Sequence, residues 1–244
     1  MKLLSYKIKE NHIHQIGVLK GHEVYNLNAF FGDVNLIDIF KLDSFTEKIH
    51  SYIGSKSSIK HKIKDIIFLP VIPHPNSFRD AYAFREHVET CRKNRGSEII
   101  SEFEQFPVFY FSNHNSMYAH NQDIELMPDH FKCLDYELEI AVIIGKGGKN
   151  ILSKDADKHI AGFCILNDLS ARTLQMEEMK LNLGPAKGKD FANVLGPYIV
   201  TPEELFEREI QTQFGKKYNL KMQCYVNGEL LSEGNAKNMH WTFG

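Results

Sequence analysis

The chain has 244 residues, of which 43% are hydrophobic, so it can bury the core of one large domain or two modest ones. Its formal net charge of −2 lacks the positive excess typical of nucleic-acid-binding proteins, so no polyanionic partner is indicated. The four cysteines show no CxxC motif, the N-terminus lacks a signal-peptide apolar region, and no apolar run approaches the ~18 residues of a membrane span, so we expect a cytoplasmic protein.

Residues 1–72 have the pattern of a small α+β domain. Alternating apolar residues predict strands over residues 3–8, 15–19 and 23–26, and apolar spacing predicts helical segments between residues 34 and 53. The lysine-rich stretch 56–64 is expected to face solvent, and the prolines between residues 70 and 75 predict an extended connector. We therefore predict a boundary after residue 72 and a second domain over residues 73–244.

A cluster of functional side chains follows the connector. Apolar residues between 78 and 91 recur at helical spacing, which predicts a helix that starts near Ser77. Asp80 and His87 are seven residues apart and would lie on nearly one face of that helix. Ser77 and Asp80 also fit a capping box, which would explain the aspartate without any function.

The segment Asp135-Tyr-Glu137-Leu-Glu139 leads into an uninterrupted aliphatic run and predicts a strand. Residues two apart on a strand point to one face, so Glu137 and Glu139 would project together. Two such carboxylates repel each other unless a proton or a hard cation lies between them. A solvent-facing polar stripe is the alternative explanation.

A second acidic motif follows the apolar segment 161–166. Asp168 is predicted to lie where that strand ends and a helix begins, with Arg172 and Gln175 four and seven residues further along the same helical face. Ordinary capping and an ion pair would explain the same spacing without catalysis.

The remaining elements complete a strand-dominated pattern. We predict a short strand around residues 107–111, a helix over 153–159, and strands over 191–200 and 221–231, the last turning at Asn227-Gly228. Because regular βαβ alternation is missing, the pattern indicates an α+β protein.

Four motifs, in this order, resemble the fumarylacetoacetate hydrolase family over roughly residues 70–244. They are Asp80-Ala-Tyr82 with His87, Asp135-Tyr-Glu137-Leu-Glu139, Leu166-Asn-Asp168-Leu-Ser-Ala-Arg172, and Gly184-Pro-Ala-Lys-Gly188-Lys189-Asp-Phe191. Each motif is weak alone, whereas the ordered set is specific for the family, though not for a substrate. The resemblance implies a mixed β-sandwich roll as the catalytic domain, and a homodimer.

The resemblance also implies a metal site. Asp80, Glu137, Glu139 and Asp168 match positions that hold Mg²⁺ or Ca²⁺ in fumarylacetoacetases. All-oxygen anionic ligands suit these hard cations, and also Mn²⁺, but give little reason to prefer Zn²⁺. No organic cofactor is implied.

The other matched positions imply a hydrolytic reaction. His87 matches the general base that activates water, and Lys189 a catalytic position that stabilises developing negative charge. Tyr82, Arg172, Gln175 and Lys189 match substrate-binding positions. The implied activity is metal-dependent cleavage of a carbon–carbon bond in an acylpyruvate-like or 1,3-diketo acid.

Two other functions stay open. The same scaffold hosts decarboxylases, isomerases, hydratases and tautomerases of 2-oxo acids, which would use the same metal site. Family members also continue past Met239-His-Trp241, whereas this sequence stops at Gly244, so we expect a C-terminal truncation. An inactive relative or a metal-stabilised binding module is therefore the second alternative.

Several other residues give no functional prediction. Neither the segment 145–149 nor the segment 184–189 completes a nucleotide P-loop. Lys187 alternates with Lys189 and competes for its role, although the family match favours Lys189. Arg92 and Arg95 are out of register with the arginine that follows the base in fumarylacetoacetases, and His12 is expected to have no ligand role.

Overall fold

The computed structural model describes residues 1–10, 13–94 and 96–244, so the predictions for His12 and Arg95 lie outside the described residues. The strands are β1 (Lys2–Ile8), β2 (His14–Lys20), β3 (Glu23–Asn26), β4 (Lys60–Lys62), β5 (Ile66–Phe68), β6 (Phe78–Asp80), β7 (Tyr110–Ser112), β8 (Met117–Tyr118), β9 (Leu134–Ile144), β10 (Ile160–Ala171), β11 (Asn193–Leu195), β12 (Ile199–Val200), β13 (Glu209–Thr212), β14 (Gly215–Tyr218), β15 (Lys221–Val226) and β16 (Glu229–Asn235).

The helices are short and lie between these strands. The α-helices are α1 (Asn28–Phe31), α2 (Leu36–Phe40), α3 (Phe45–Gly54), α4 (Arg85–Asn94), α5 (Ser153–Ala156) and α6 (Arg172–Met179). Turns of 3-10 helix occur at Ile63–Asp65, Ser101–Glu104, Pro128–Cys133, Asp157–His159, Pro202–Arg208 and Ala236–Asn238. Every helix among the described residues is too short or too polar to traverse a lipid bilayer.

Ten strands of the described chain form one curled, mixed sheet. Its order is β4, β3, β2, β1, β12, β10, β11 and β8, while β5 also pairs with β1 and β9 pairs with β10. The β8–β11 pair is parallel, whereas the long β9–β10 pair is antiparallel. Two-stranded ribbons lie outside this sheet, among them β6–β7. The predicted strand-dominated α+β class is confirmed.

The first 72 residues share a core with the rest of the chain. β1 pairs with β12, with Leu3 opposite Ile199. Leu3 and Ile16 belong to the same buried cluster as Leu166 and Leu195. Burial of each such side chain contributes about 1.5–3 kcal/mol. The N-terminal strands therefore support the sheet that carries β10, while the division into domains after residue 72 stays a prediction.

Several local predictions along the chain are confirmed. β1, β2 and β3 form where residue alternation predicts strands, and α2 and α3 lie within the predicted helical region. Asn227 and Gly228 join β15 to β16 with φ angles of 52° and 88°. Positive φ at both central residues is what a type I′ hairpin turn requires, which explains the Asn-Gly pair.

The helix predicted from Ser77 onward is wrong over its first half. Phe78–Asp80 forms β6, which pairs with β7, and α4 begins only at Arg85. Asp80 accordingly caps no helix. A strand partner about thirty residues away decides the conformation here, and local periodicity contains no information about such a partner.

Candidate metal centre

Glu137 and Glu139 lie on β9, and Asp168 lies on the neighbouring strand β10. The register places Glu137 opposite Asp168 and Glu139 opposite Leu166. Residues two apart on a strand share a face, and directly opposed residues share that face with them. The three carboxylates therefore point to one side of the sheet, and the strand predicted at Glu137 and Glu139 is confirmed.

Asp168 lies inside β10 rather than at the start of a helix. The strand continues through Ala171, which pairs with Leu134, and α6 begins at Arg172. The predicted helix start at Asp168 is therefore wrong, because pairing with β9 extends the strand. Arg172 and Gln175 still lie one turn apart, and Arg172 Nη1 donates a hydrogen bond to Gln175 Oε1 at 3.1 Å.

The β6–β7 ribbon supplies the fourth carboxylate. Asp80 pairs with Tyr110 across the ribbon, and the Tyr110 hydroxyl donates to Asp80 Oδ2 at 2.5 Å. One oxygen from each of Asp80, Glu137, Glu139 and Asp168 lies within 4.8 Å of the others. Four acidic side chains from three strands thus converge on one point.

The burial of this cluster fits a bound divalent cation. Asp168 is 1% exposed and Asp80 is 8% exposed. Asp168 Oδ1 is a buried acceptor with no hydrogen-bond partner in the described part of the chain. An unsatisfied buried polar atom costs about 1–3 kcal/mol, and a hard cation with oxygen ligands would satisfy it. The residues present therefore fit Mg²⁺, Ca²⁺ or Mn²⁺.

Two basic side chains lie against the carboxylates. Lys189, which is 3% exposed, contacts Asp168 Oδ2 and also Glu137 Oε2, the latter at 2.9 Å. Arg172 Nη2 lies 2.8 Å from Glu137 Oε1, and its Nε donates to Asp135 Oδ2 at 2.8 Å. Two positive charges cannot balance the four clustered carboxylates and Asp135, so ionisation of all these groups would leave net negative charge for a cation.

The pKa values in the cluster follow from burial and neighbouring charge. Burial raises the pKa of Glu139 well above its usual range, and the neighbouring carboxylates act in the same direction. Burial likewise raises the pKa of Asp168 to about 7, an effect that Lys189 opposes without cancelling. Burial also opposes ionisation of Glu137, but Lys189 and Arg172 outweigh it and lower its pKa to about 2. A bound cation would favour the ionised form of each.

The structure does not bring His87 or Tyr82 to the carboxylates. His87 is exposed on α4, and its Nε2 lies 3.6 Å from Cys91 Sγ. Tyr82 is 48% exposed, and its ring stacks on Phe103 with the centroids 6.2 Å apart. Among the contacts of the described residues, neither side chain forms a hydrogen bond or an ion pair with the cluster. Their catalytic and substrate-binding roles stay predictions.

Lys187 and Lys189, the two lysines that the sequence offers for the same role, lie in different environments. Lys187 is 71% exposed, and its ammonium lies 3.7 Å from Glu178 Oε1. Lys189 is buried against Asp168. Only Lys189 of the two contacts the carboxylate cluster, in agreement with the position favoured by the family match.

Sequence reasoning missed three residues around the centre. Tyr110 binds Asp80, and Asn193 lies directly opposite Asp168 on β11, fully buried and with Oδ1 unpartnered among the described residues. Glu178 binds the loop that leads to Lys189. In the strand predicted around residues 107–111, alternation puts the side chain of Tyr110 on the opposite face from its two neighbours in sequence, which is a weak local signal. No sequence pattern singles out Asn193 or Glu178.

Comparison with known sequences identifies relatives. Residues 76–244 match the family model described as fumarylacetoacetate hydrolase, C-terminal. An uncharacterized protein of Methanocaldococcus jannaschii is 30% identical over 201 residues, which cover 82% of this chain and 75% of that protein. Human mitochondrial oxaloacetate tautomerase FAHD2A is 36% identical over 129 residues, which cover 53% of this chain and 38% of the human protein. The chain thus spans well under two thirds of the human relative.

Solved structures show the same fold. Maleylpyruvate hydrolase from Sphingobium sp. SYK-6, solved with manganese(II) ion and pyruvate, superimposes with a TM-score of 0.74 at 17% identity, covering 100% of this chain and 80% of that one. Fumarylacetoacetate hydrolase from Exiguobacterium antarcticum gives a TM-score of 0.69 at 22% identity, covering 98% and 76%. With the family match over residues 76–244, these findings show that the chain belongs to the fumarylacetoacetate hydrolase family.

Proposed function

We propose that the chain is a divalent-metal-dependent hydrolase that cleaves a carbon–carbon bond in an acylpyruvate-like or 1,3-diketo acid. The observation that carries the proposal is a cluster of four buried or half-buried carboxylates beside two basic side chains: Asp80, Glu137, Glu139, Asp168, Lys189 and Arg172. Such a cluster combines a site for a hard cation with positive charge that can bind an anionic substrate.

The four carboxylates would hold Mg²⁺, Mn²⁺ or Ca²⁺. When bound, a divalent cation supplies Lewis acidity to carbonyl oxygens and stabilises negative charge on oxygen. The Sphingobium neighbour, whose structure contains manganese(II) and pyruvate, supports both this type of metal and a small oxo-acid substrate.

Lys189 and Arg172 stabilise the charge that develops in the proposed reaction. Water adds to a carbonyl carbon, the adjacent carbon–carbon bond breaks, and its electron pair becomes that of an enolate. A proton then returns to carbon, which gives a carboxylic acid and a smaller oxo compound. An ammonium and a guanidinium group held in a largely buried site stabilise such an anion more strongly than they would in water.

His87 is the proposed general base for the attacking water. Histidine is the side chain that most often fills this role. Because His87 is exposed on α4 and contacts Cys91, the role requires α4 to approach the carboxylates when substrate is bound. Catalytic hydrogen bonds often form only in the substrate complex, so the exposed position of His87 in the free protein is compatible with this role.

A second candidate function is tautomerisation of a 2-oxo acid at the same centre. The observation that favours it is the 36% identity with the human protein named oxaloacetate tautomerase. Keto–enol conversion moves a proton between carbon and oxygen and activates no water, so the exposed position of His87 is no obstacle to it. Decarboxylation and isomerisation of 2-oxo acids on the same metal site likewise need no activated water, whereas hydration, the remaining alternative, does.

The test is turnover of two substrates by the purified protein with Mg²⁺, Mn²⁺ or Ca²⁺. We expect metal-dependent hydrolysis of an acylpyruvate, which is measured as the loss of its diketone absorbance. Asp168→Asn should show little turnover. Glu229→Gln is the matched control, because Glu229 is an exposed acid on β16. Conversion of oxaloacetate tautomers without hydrolysis would favour the second candidate, and metal binding without any turnover would contradict both.

A further inference from the structure

The loop that precedes Lys189 is fastened to helix α6 by the carboxylate of Glu178. Glu178 Oε1 accepts a hydrogen bond from the Lys187 amide, and Oε2 accepts one from the Gly188 amide, both at 3.1 Å. The Glu178 side chain is 12% exposed. We infer that Glu178 is a positioning residue that holds Lys189 against the carboxylate cluster, an inference that rests on the proposed function of that cluster.

The backbone of Gly188 lies directly against the same helix. Its carbonyl accepts a hydrogen bond from the Ala171 amide at 2.8 Å. A Cβ atom at residue 188 would lie 2.7 Å from both Gln175 N and Gln175 Cβ, so a side chain has no room there. Glu178 therefore completes a clamp that joins this loop to Ala171, the last residue of β10, and to the last turn of α6.

Lys189 follows the clamped residues directly and depends on them for its position. Its flexible side chain reaches Asp168 and Glu137, while the Lys189 amide bonds back to Ala186 O at 2.9 Å. Because a lysine side chain has many rotamers, its ammonium stays at one point only when the backbone that carries it is fixed. The clamp supplies this constraint.

The location of Glu178 favours this role over ordinary surface chemistry. It lies in the last turn of α6, where a negative charge is unfavourable for the helix dipole. The ammonium of Lys187 is 71% exposed and 3.7 Å away, so this ion pair stabilises little. Two charge-assisted hydrogen bonds from backbone amides are the stronger contacts, and they act on the loop.

A double-mutant cycle tests whether Glu178 acts through Lys189. We expect Glu178→Ala to lower turnover about 10- to 100-fold, as is typical for residues that support the groups in direct contact with a metal or substrate. In the Lys189→Met background the same change should lower residual turnover less than about twofold, because residues that act as one unit are not additive. Glu177→Gln, on the exposed face of the same helix, should leave turnover unchanged.

A second measurement tests the inference without any substrate. Mn²⁺ titration should show that Glu178→Ala changes the Kd in the same direction as Lys189→Met, with no further change in the double variant. Amide hydrogen exchange of residues 187 and 188 should accelerate in Glu178→Ala and stay unchanged in Glu177→Gln. If the wild type turns over no oxo acid, the proposed function fails while these readouts still test the clamp. Additive effects of the two substitutions, or unchanged exchange, would overturn the inference.

Discussion

The carboxylate cluster and the helix that carries His87 differ in how firmly burial and neighbouring contacts fix their side chains. In the cluster, side chains from β6, β9 and β10 are buried or half-buried, and each basic neighbour is held by more than one contact. On α4, His87 is exposed, and the polar contact shown for its ring among the described residues is with Cys91, one turn further along the same helix. A cation site needs several like charges at fixed separations, which paired strands can enforce. A base that acts on bound substrate can lie on an exposed element.

The largest expected effect separates these regions by activity. We expect His87→Ala to lower acylpyruvate hydrolysis about 10²–10⁴-fold, the usual contribution of general-base catalysis. Its free energy of unfolding should change by no more than about 0.5 kcal/mol, because the side chain is exposed. Steady-state kinetics and urea unfolding measure the two quantities. Unchanged hydrolysis would remove His87 from the mechanism, and His50→Ala, at an exposed histidine of α3, is the control.

Unlike His87→Ala, Lys189→Met should also have a large effect on stability. The substitution removes the only basic contact of Asp168 among the described residues and one of the two of Glu137, and breaking a buried ion pair costs about 3–5 kcal/mol. Lys187→Met is the matched control, since this exposed lysine should contribute less than about 1 kcal/mol. Urea unfolding without divalent cations measures both variants. Equal destabilisation of the two would show that the cluster is not balanced by Lys189.

Divalent cations should stabilise the folded protein through the cluster alone. At 100 times the Kd, a ligand that binds only the folded state adds about 2.7 kcal/mol to the free energy of unfolding. Thermal melts with Mn²⁺ and with a chelator measure this effect. Glu139→Gln should abolish most of the stabilisation, whereas Glu229→Gln should keep it. A melting temperature that changes neither on addition of Mn²⁺ nor on the substitution Glu139→Gln would contradict the assignment of a cation site.

The smallest expected effect tests the packing of the loop before Lys189. Gly188→Ala should destabilise the protein by about 1–3 kcal/mol, the usual cost of overpacking, because the new methyl group meets the Gln175 backbone. Gly234→Ala is the control: apart from its neighbours in the chain, no atom of the described residues lies within 4 Å of its added Cβ. Urea unfolding of both variants is the measurement, and equal stabilities would show that the loop yields at no cost.

Several features of the candidate site could be predicted from the sequence. The alternation around Glu137 and Glu139 indicates a strand with both carboxylates on one face, because the side-chain period of a strand is two. The family resemblance adds Asp80 and Asp168, and it favours Lys189 over Lys187. The local conformations of Asp80 and Asp168 were nevertheless predicted wrongly. Both depend on pairing with strands distant in sequence, β7 and β9.

Local periodicity, turn chemistry and ordered motifs were enough to predict the strand-dominated class, the hairpin turn at Asn227-Gly228 and the set of acidic residues. The folded chain was needed to show that four carboxylates meet within 4.8 Å, that Tyr110 binds Asp80, and that Glu178 holds the loop before Lys189. These contacts join residues far apart in the chain. Their geometry comes from strand register and burial, which no local pattern contains.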